Sequence, residues 1–196
     1  DLLHFQAISY SINLRFFLRP CLVQPEKVNW AMLHPDIEVQ FSQINGLGLI
    51  AARFIARGTL IWQQDAGEPE YSYEELLRLP AEQRRHCNMI AADRFTICSD
   101  GSQYMNHSCD PTAANLGDDA MVAARDLYPG DEITYDYATS EIDPRVWPDW
   151  ECHCGAPNCR RIISARDCLN PDFQRRYAGQ LASWTLAFIV QHAEGR

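Results

Sequence analysis

A β-rich α+β domain is the architecture this sequence predicts, and three observations predict it. The front third consists of short alternating apolar runs, two more strand-like runs lie past the middle, and helical patterning is confined to short capped segments and the C-terminal end. In residues 37–41, Ile37, Val39 and Phe41 alternate with polar neighbours, the period of a half-buried strand. Asn45, Gly46, Leu47 and Gly48 then form a tight turn, and the stretch to Trp62 reads as two short strands around a second turn at Arg57 and Gly58. Ser72 and Glu75 have the form of a capping box, which places a helix over 73–79 until Pro80 stops it, and Pro80 opens a second helix reaching Cys87. Phe95 to Cys98 is a short strand before a turn at Asp100 and Gly101. The apolar runs 120–127 and 132–137, joined by Pro129, Gly130 and Asp131, predict a hairpin. Asn170 and Pro171 are an N-cap and a first helical position. Phe173, Tyr177, Leu181, Trp184 and Phe188 follow at helical spacing, so one amphipathic helix is expected to close the chain. Residues 1–30 show no clean period and are expected to form a helical or irregular extension.

At 196 residues and 46% hydrophobic, the chain has apolar material for one core rather than two. The net charge of -9 opposes sequence-independent binding to a phosphate backbone, so no direct nucleic-acid binding is expected and a basic partner suits the chain better. No apolar run approaches the roughly 20 residues of a membrane span, and the densest, 181–190, is broken by Ser183 and Thr185. Residues 11–23 are interrupted by two arginines and Pro20 and lack a cleavage pattern, which predicts no signal peptide in this stretch. A soluble protein of a reducing intracellular compartment is expected, nuclear or cytoplasmic, with an exported effector left open. Nothing in the sequence predicts the oligomeric state.

Of the eight cysteines, Cys21, Cys87, Cys98 and Cys168 stand alone while Cys152, Cys154 and Cys159 crowd into C-x-C-x4-C. Crowding of this kind favours a metal over disulfides. Tetrahedral zinc needs four nitrogen or sulfur donors. Spacing alone leaves the fourth open among His153, Cys109, Cys168 and the other lone cysteines.

Four separated motifs, in order, resemble those of SET-domain methyltransferases: the Gly46-Leu47-Gly48 turn, YMNHSC at 104–109, GDEITYDY at 130–137, and the cysteine cluster. The resemblance covers about residues 36–162. It implies a fold of small curved sheets in which the NHSC segment is threaded beneath TYDY, like a pseudoknot. It divides the chain into an N-terminal extension (1–35), a SET domain (36–140), a post-SET zinc loop (141–168) and a C-terminal helix (169–196). It also favours Cys109 as the fourth ligand of Zn2+, beside Cys152, Cys154 and Cys159. By the same resemblance S-adenosylmethionine lies against Gly46, Leu47, Gly48, Asn106 and His107, with His153 over the adenine. Glycines allow close backbone approach, and Asn106 offers both a donor and an acceptor.

Tyr137 matches the tyrosine beside the reacting methyl, and Tyr135 the switch position that limits how many methyl groups fit. The implied activity is protein-lysine N-methylation, mono- or dimethylation, of an accessible lysine in a basic peptide or protein tail such as a histone's. Three departures mark a divergent branch, the first being Leu47 where the turn often carries an aromatic. Residues 63–69 read QQDAGEP where the family has E-Y-x-G-E, keeping Gly67 and Glu68 without the tyrosine, and Gln103-Tyr104 stand where many members have Arg-Phe. A catalytically inactive module binding a basic peptide and a zinc-stapled structural protein are the competing classes. The terminal helix, beyond the resemblance, is expected to be a docking or dimerisation surface.

Overall fold

The computed structural model of the chain describes residues 33–65 and 67–194. The extension expected over 1–30 lies outside the described residues, as does Cys21. Strands run β1 (Ile37–Phe41), β2 (Leu47–Ala51), β3 (Leu60–Gln63), β4 (Cys87–Ala91), β5 (Arg94–Ile97), β6 (Asn106–His107), β7 (Ala113–Asn115), β8 (Ala120–Ala123), β9 (Glu132–Tyr135), β10 (Trp150–Glu151) and β11 (Ile162–Ile163). Short helices α1 (Tyr73–Leu76) and α2 (Ala81–Arg84) separate β3 from β4, and α3 (Pro171–Arg176) and α4 (Ser183–Glu194) follow the last strand. This is the expected β-rich α+β class, in four small sheets.

The strand predicted over 37–41 forms and pairs antiparallel with β2 around the turn, but the alternation holds only in part: Ile37 is 1% exposed and Val39 half-buried, whereas Phe41, expected on the same face, is 90% exposed at the strand's end. The first sheet has the order β1-β2-β9-β6, in which β9 runs antiparallel to β2 and parallel to β6. A second has the order β3-β8-β7, while β4 with β5 and β10 with β11 make two-stranded ribbons. Leu49, Ile61, Leu127 and Ile133 join the first two sheets in one apolar core.

Four expectations are corrected. The runs 120–127 and 132–137 do not form a hairpin. β8 pairs with β3 and β7 while β9 pairs with β2 and β6, because alternation fixes which face a strand buries and not its partner. Both front helices are shorter than expected: α1 keeps its Ser72 capping box but ends at Leu76, and Cys87 begins β4 opposite Ile97. The terminal helix is two helices, broken where Gly179 adopts φ +77°, a left-handed conformation that favours glycine. Nor is its apolar stripe chiefly a docking surface. Phe173, Tyr177, Ala182 and Trp184 are buried against Leu76, Met89, Phe95 and Ile142 in a second core, leaving Leu186 and Val190 exposed.

Candidate active site

The parallel pairing of Asn106 with Thr134 and His107 with Tyr135 sets the NHSC segment beside TYDY. A cavity of about 250 Å³ opens against this seam, lined by Asn45, Asn106, His107, Tyr137, Trp150 and His153 among others. That volume lies near the lower end for ligand pockets, roughly 300–1,000 Å³. Asn106, His107 and His153 therefore share one cavity with Tyr137, whereas Gly46, Leu47 and Gly48 do not line it. The turn is tied to the site from behind: the Asn106 side-chain amide donates to the carbonyls of Asn45 (3.2 Å) and Leu47 (3.0 Å) and to Glu132 Oε1 (2.8 Å). A Cβ on Gly48 would lie 2.5 Å from Glu132 Oε1, so this glycine makes room for the carboxylate that anchors Asn106.

Tyr137 stands between two cavities. Its ring also lines a second, of about 60 Å³, with Tyr135, Met105, His86, Gln103 and Trp147. The Tyr137 hydroxyl donates to the Met105 carbonyl at 2.9 Å, and the two tyrosine rings are 4.6 Å apart. Burial holds both phenols well above their ordinary range, so both remain protonated donors. Trp147 supplies an aromatic wall to this smaller cavity in a chain whose E-Y-x-G-E segment lacks its tyrosine. Sequence reasoning passed over Trp147 and Trp150, although two tryptophans three residues apart in a proline-bounded loop were a signal.

His107 is buried, and its Nδ1 accepts the Tyr137 N–H at 3.2 Å, which leaves the proton on Nε2, 3.4 Å from Cys109 Sγ. Burial, then the nearby Arg160, against the opposing pull of Asp136, lowers its pKa to about 4 and keeps the ring neutral. The sulfurs of Cys109, Cys152, Cys154 and Cys159 all lie within 4.8 Å of one another, those of Cys109 and Cys152 at 4.0 Å. Four thiolates 2.3 Å from a tetrahedral zinc would be about 3.8 Å apart. The N–H groups of Cys109, Arg160 and Arg161 point at the sulfurs of Cys154, Cys109 and Cys159 at 3.4 to 3.5 Å, as suits thiolates. The donor set thus fits zinc, and neither His153 nor Cys168 belongs to it. Also missed was Asp136, 1% exposed, whose carboxylate takes two bonds from Arg160, at 2.6 and 2.8 Å, and one from the Tyr177 hydroxyl at 2.8 Å.

Small sheets with a two-residue parallel seam between NHSC and TYDY make up the SET fold that the resemblance implied. Residues 46–138 match the SET domain family. Over 137 residues it is 32% identical to "Histone-lysine N-methyltransferase trr" of Drosophila melanogaster, covering 63% of this chain and 6% of that protein. Over 144 residues it is 32% identical to "Histone-lysine N-methyltransferase 2D" of Homo sapiens, covering 63% of this chain and 2% of that one. The chain thus corresponds to a small part of these relatives. Among solved structures the fold resembles KRYPTONITE in complex with mCHG DNA and SAH, with a TM-score of 0.51 and 21% identity over 66% of this chain and 29% of that one. No helix among the described residues is long and apolar enough to cross a membrane.

Proposed function

We propose that the chain is a protein-lysine N-methyltransferase dependent on S-adenosylmethionine, adding one or two methyl groups to a lysine of a basic peptide or protein tail. The observation that carries this reading is Tyr137 standing where the larger cavity meets the smaller one. S-adenosylmethionine, when bound, supplies a methyl group on a cationic sulfur. The chain's own residues do the rest by position. The faces of Tyr137 and Trp150 in the larger cavity suit a cation. Tyr135, Tyr137 and Trp147 in the smaller one disfavour an ammonium and so lower the pKa of an entering lysine. The Met105 carbonyl, already holding the Tyr137 hydroxyl, keeps that oxygen fixed at the junction. Cys109, Cys152, Cys154 and Cys159 would hold zinc, placing Trp150 and His153 as a wall of the larger cavity. A reducing intracellular compartment fits four thiolates, and none of the seven described cysteines is in a disulfide. The net charge of -9 fits a basic substrate.

Incubation with radiolabelled S-adenosylmethionine and acid-extracted core histones, followed by identification of the labelled residue, tests the reading. Label on lysine, lost in Tyr137→Phe while donor binding persists, is expected. Donor binding without transfer would make the chain an inactive binding module. Tyr135→Phe is expected to raise the higher methylation states, and an unchanged product distribution by mass spectrometry would remove Tyr135 from the switch.

A further inference from the structure

Glu141 is a buried carboxyl that the chemistry above leaves without a task. It is 4% exposed, its Oε1 accepts the Tyr135 hydroxyl at 3.2 Å, and its Oε2 accepts the Met89 N–H at 3.0 Å. The Ser140 hydroxyl lies 3.4 Å from Oε1. No cation pairs with it among the described residues. An unpaired buried carboxylate is costly, and a glutamine or an apolar side chain would be the cheaper occupant of a purely structural position. The titratable groups facing it are Tyr135, Tyr137, Cys87 at the start of β4 and Cys98 beyond β5, all kept neutral by burial.

Its place relative to the cavities is what gives it a use. Tyr135 lines the smaller of the two cavities described above, and Glu141, bonded to the Tyr135 hydroxyl, lines a third cavity of about 30 Å³. One water needs roughly 10–15 Å³ of such space, so this cavity has room for about two. It runs past Asn88 and Asn115 to the exposed Gly117 and Asp118 at the surface. The hydrogen bond between Tyr135 and Glu141 therefore joins a residue that lines the smaller cavity to one that lines the third.

We propose that Glu141 takes the proton an incoming lysine ammonium must lose, acting through Tyr135. This rests on the lysine methyltransferase reading. A lysine N–H bond breaks as the Tyr135 oxygen gains that proton, while the Tyr135 O–H bond breaks and its proton forms an O–H bond on Glu141. An ammonium and a carboxylate become a neutral amine and a neutral carboxylic acid, and the acid then releases its proton to water in the third cavity. Each methyl transferred to the neutral amine leaves a cationic methylammonium, which must lose a proton before it can take another, so the same path resets the site between turnovers. Burial, against the bonds from Met89, Tyr135 and Ser140 that favour the ion, pushes the Glu141 carboxyl up to about 8. The carboxyl is thus mostly protonated at neutral pH, and its ionised, proton-accepting form becomes the majority only above about pH 8, where turnover should level off.

The test is kcat against pH for the metal-loaded chain and its Glu141→Gln variant on core histones, with donor affinity measured by calorimetry. Wild-type turnover is expected to level off by about pH 8.5. The variant should still be rising near pH 10, where the free amine deprotonates unaided, being about 10-fold slower at pH 7.5 and within about 2-fold at pH 10. Donor affinity should be unchanged within about 2-fold. A structural defect would scale the whole curve, so parallel profiles would overturn the proposal while leaving the methyltransferase reading intact. No wild-type transfer at any pH would overturn both. Should Glu141→Gln fail to fold, Glu141→Met decides by the same criterion, since it also removes the carboxyl while leaving Tyr135 in place.

Discussion

Two segments close over β9 and the residues that follow it, and they are held by different means. The cysteine loop from Trp150 to Ile163 has little apolar packing of its own beyond its cysteines, Ile163, Trp150 and Ala156, and its two strands are two residues each. The C-terminal helices instead bury Phe173, Tyr177, Ala182 and Trp184 in the second core. Both converge on Asp136, the loop through Arg160 and the helices through Tyr177. Packing of the helices comes with folding itself, because apolar burial needs no ligand. A loop built on four cysteines whose sulfurs fit zinc would depend on that metal for its place, which would make the Trp150 and His153 wall of the larger cavity conditional on the metal.

The largest effect should come from removing the metal. Structural zinc is worth on the order of 10 kcal/mol in small sites. Chelation, or Cys154→Ser, is expected to lower donor affinity about 100-fold or more by calorimetry, while circular dichroism still shows a cooperatively melting remainder. Unchanged donor affinity after proven metal loss would break the comparison. Trp184→Ala should do the reverse. Its indole N–H donates to the Ser140 carbonyl at 2.7 Å from within the second core. Loss of the side chain should cost about 3–5 kcal/mol in urea unfolding, with donor affinity within about 2-fold. Wild-type stability would show that the helices do not brace the domain.

Asp136→Asn touches both segments. Removing one partner of a buried ion pair costs about 3 kcal/mol or more, and here stability and donor affinity should fall together. A loss confined to one readout would show that the segments are not joined through this carboxylate. The smallest effect sharpens the helix-covered side. Glu141 is raised from the ordinary carboxylate range to about 8 by burial, so the fold prefers its protonated form. Stability should be greatest below about pH 4.5 for this group, decline as pH rises through 8, and stay level above. Glu141→Gln loses one acceptor at every pH, but its melting temperature relative to wild type should climb between pH 5 and 8. A pH-independent difference would show that the carboxyl is not held in its neutral form.

Much of the site was legible as short stretches: NHSC, TYDY and C-x-C-x4-C were all visible as local strings, and the structure gathers Asn106, His107, Tyr135, Tyr137 and the four cysteines around one seam. The Gly46-Leu47-Gly48 turn was legible as a turn, yet its neighbours, not its glycines, face the cavity. Glu132 and Asp136 lie in the GDEITYDY string and Glu141 just beyond it, but they were not singled out, because an acidic residue in a sequence does not announce whether it is solvated or buried against Asn106, Arg160 or Tyr135.

The sequence by itself determined what is decided within a few residues. The Ser72 capping box, the Asn170 cap with Pro171 after it, the strand over 37–41 and the crowding of three thiolates all follow from neighbours along the chain. Tertiary structure decided the rest: that β8 and β9 go to different sheets, that Gly179 breaks the terminal helix, and that Ser42 reaches Glu132 across 90 residues. Periodicity tells a strand which face to bury, but only the closing of long loops tells it against what, and that choice depends on every other segment at once.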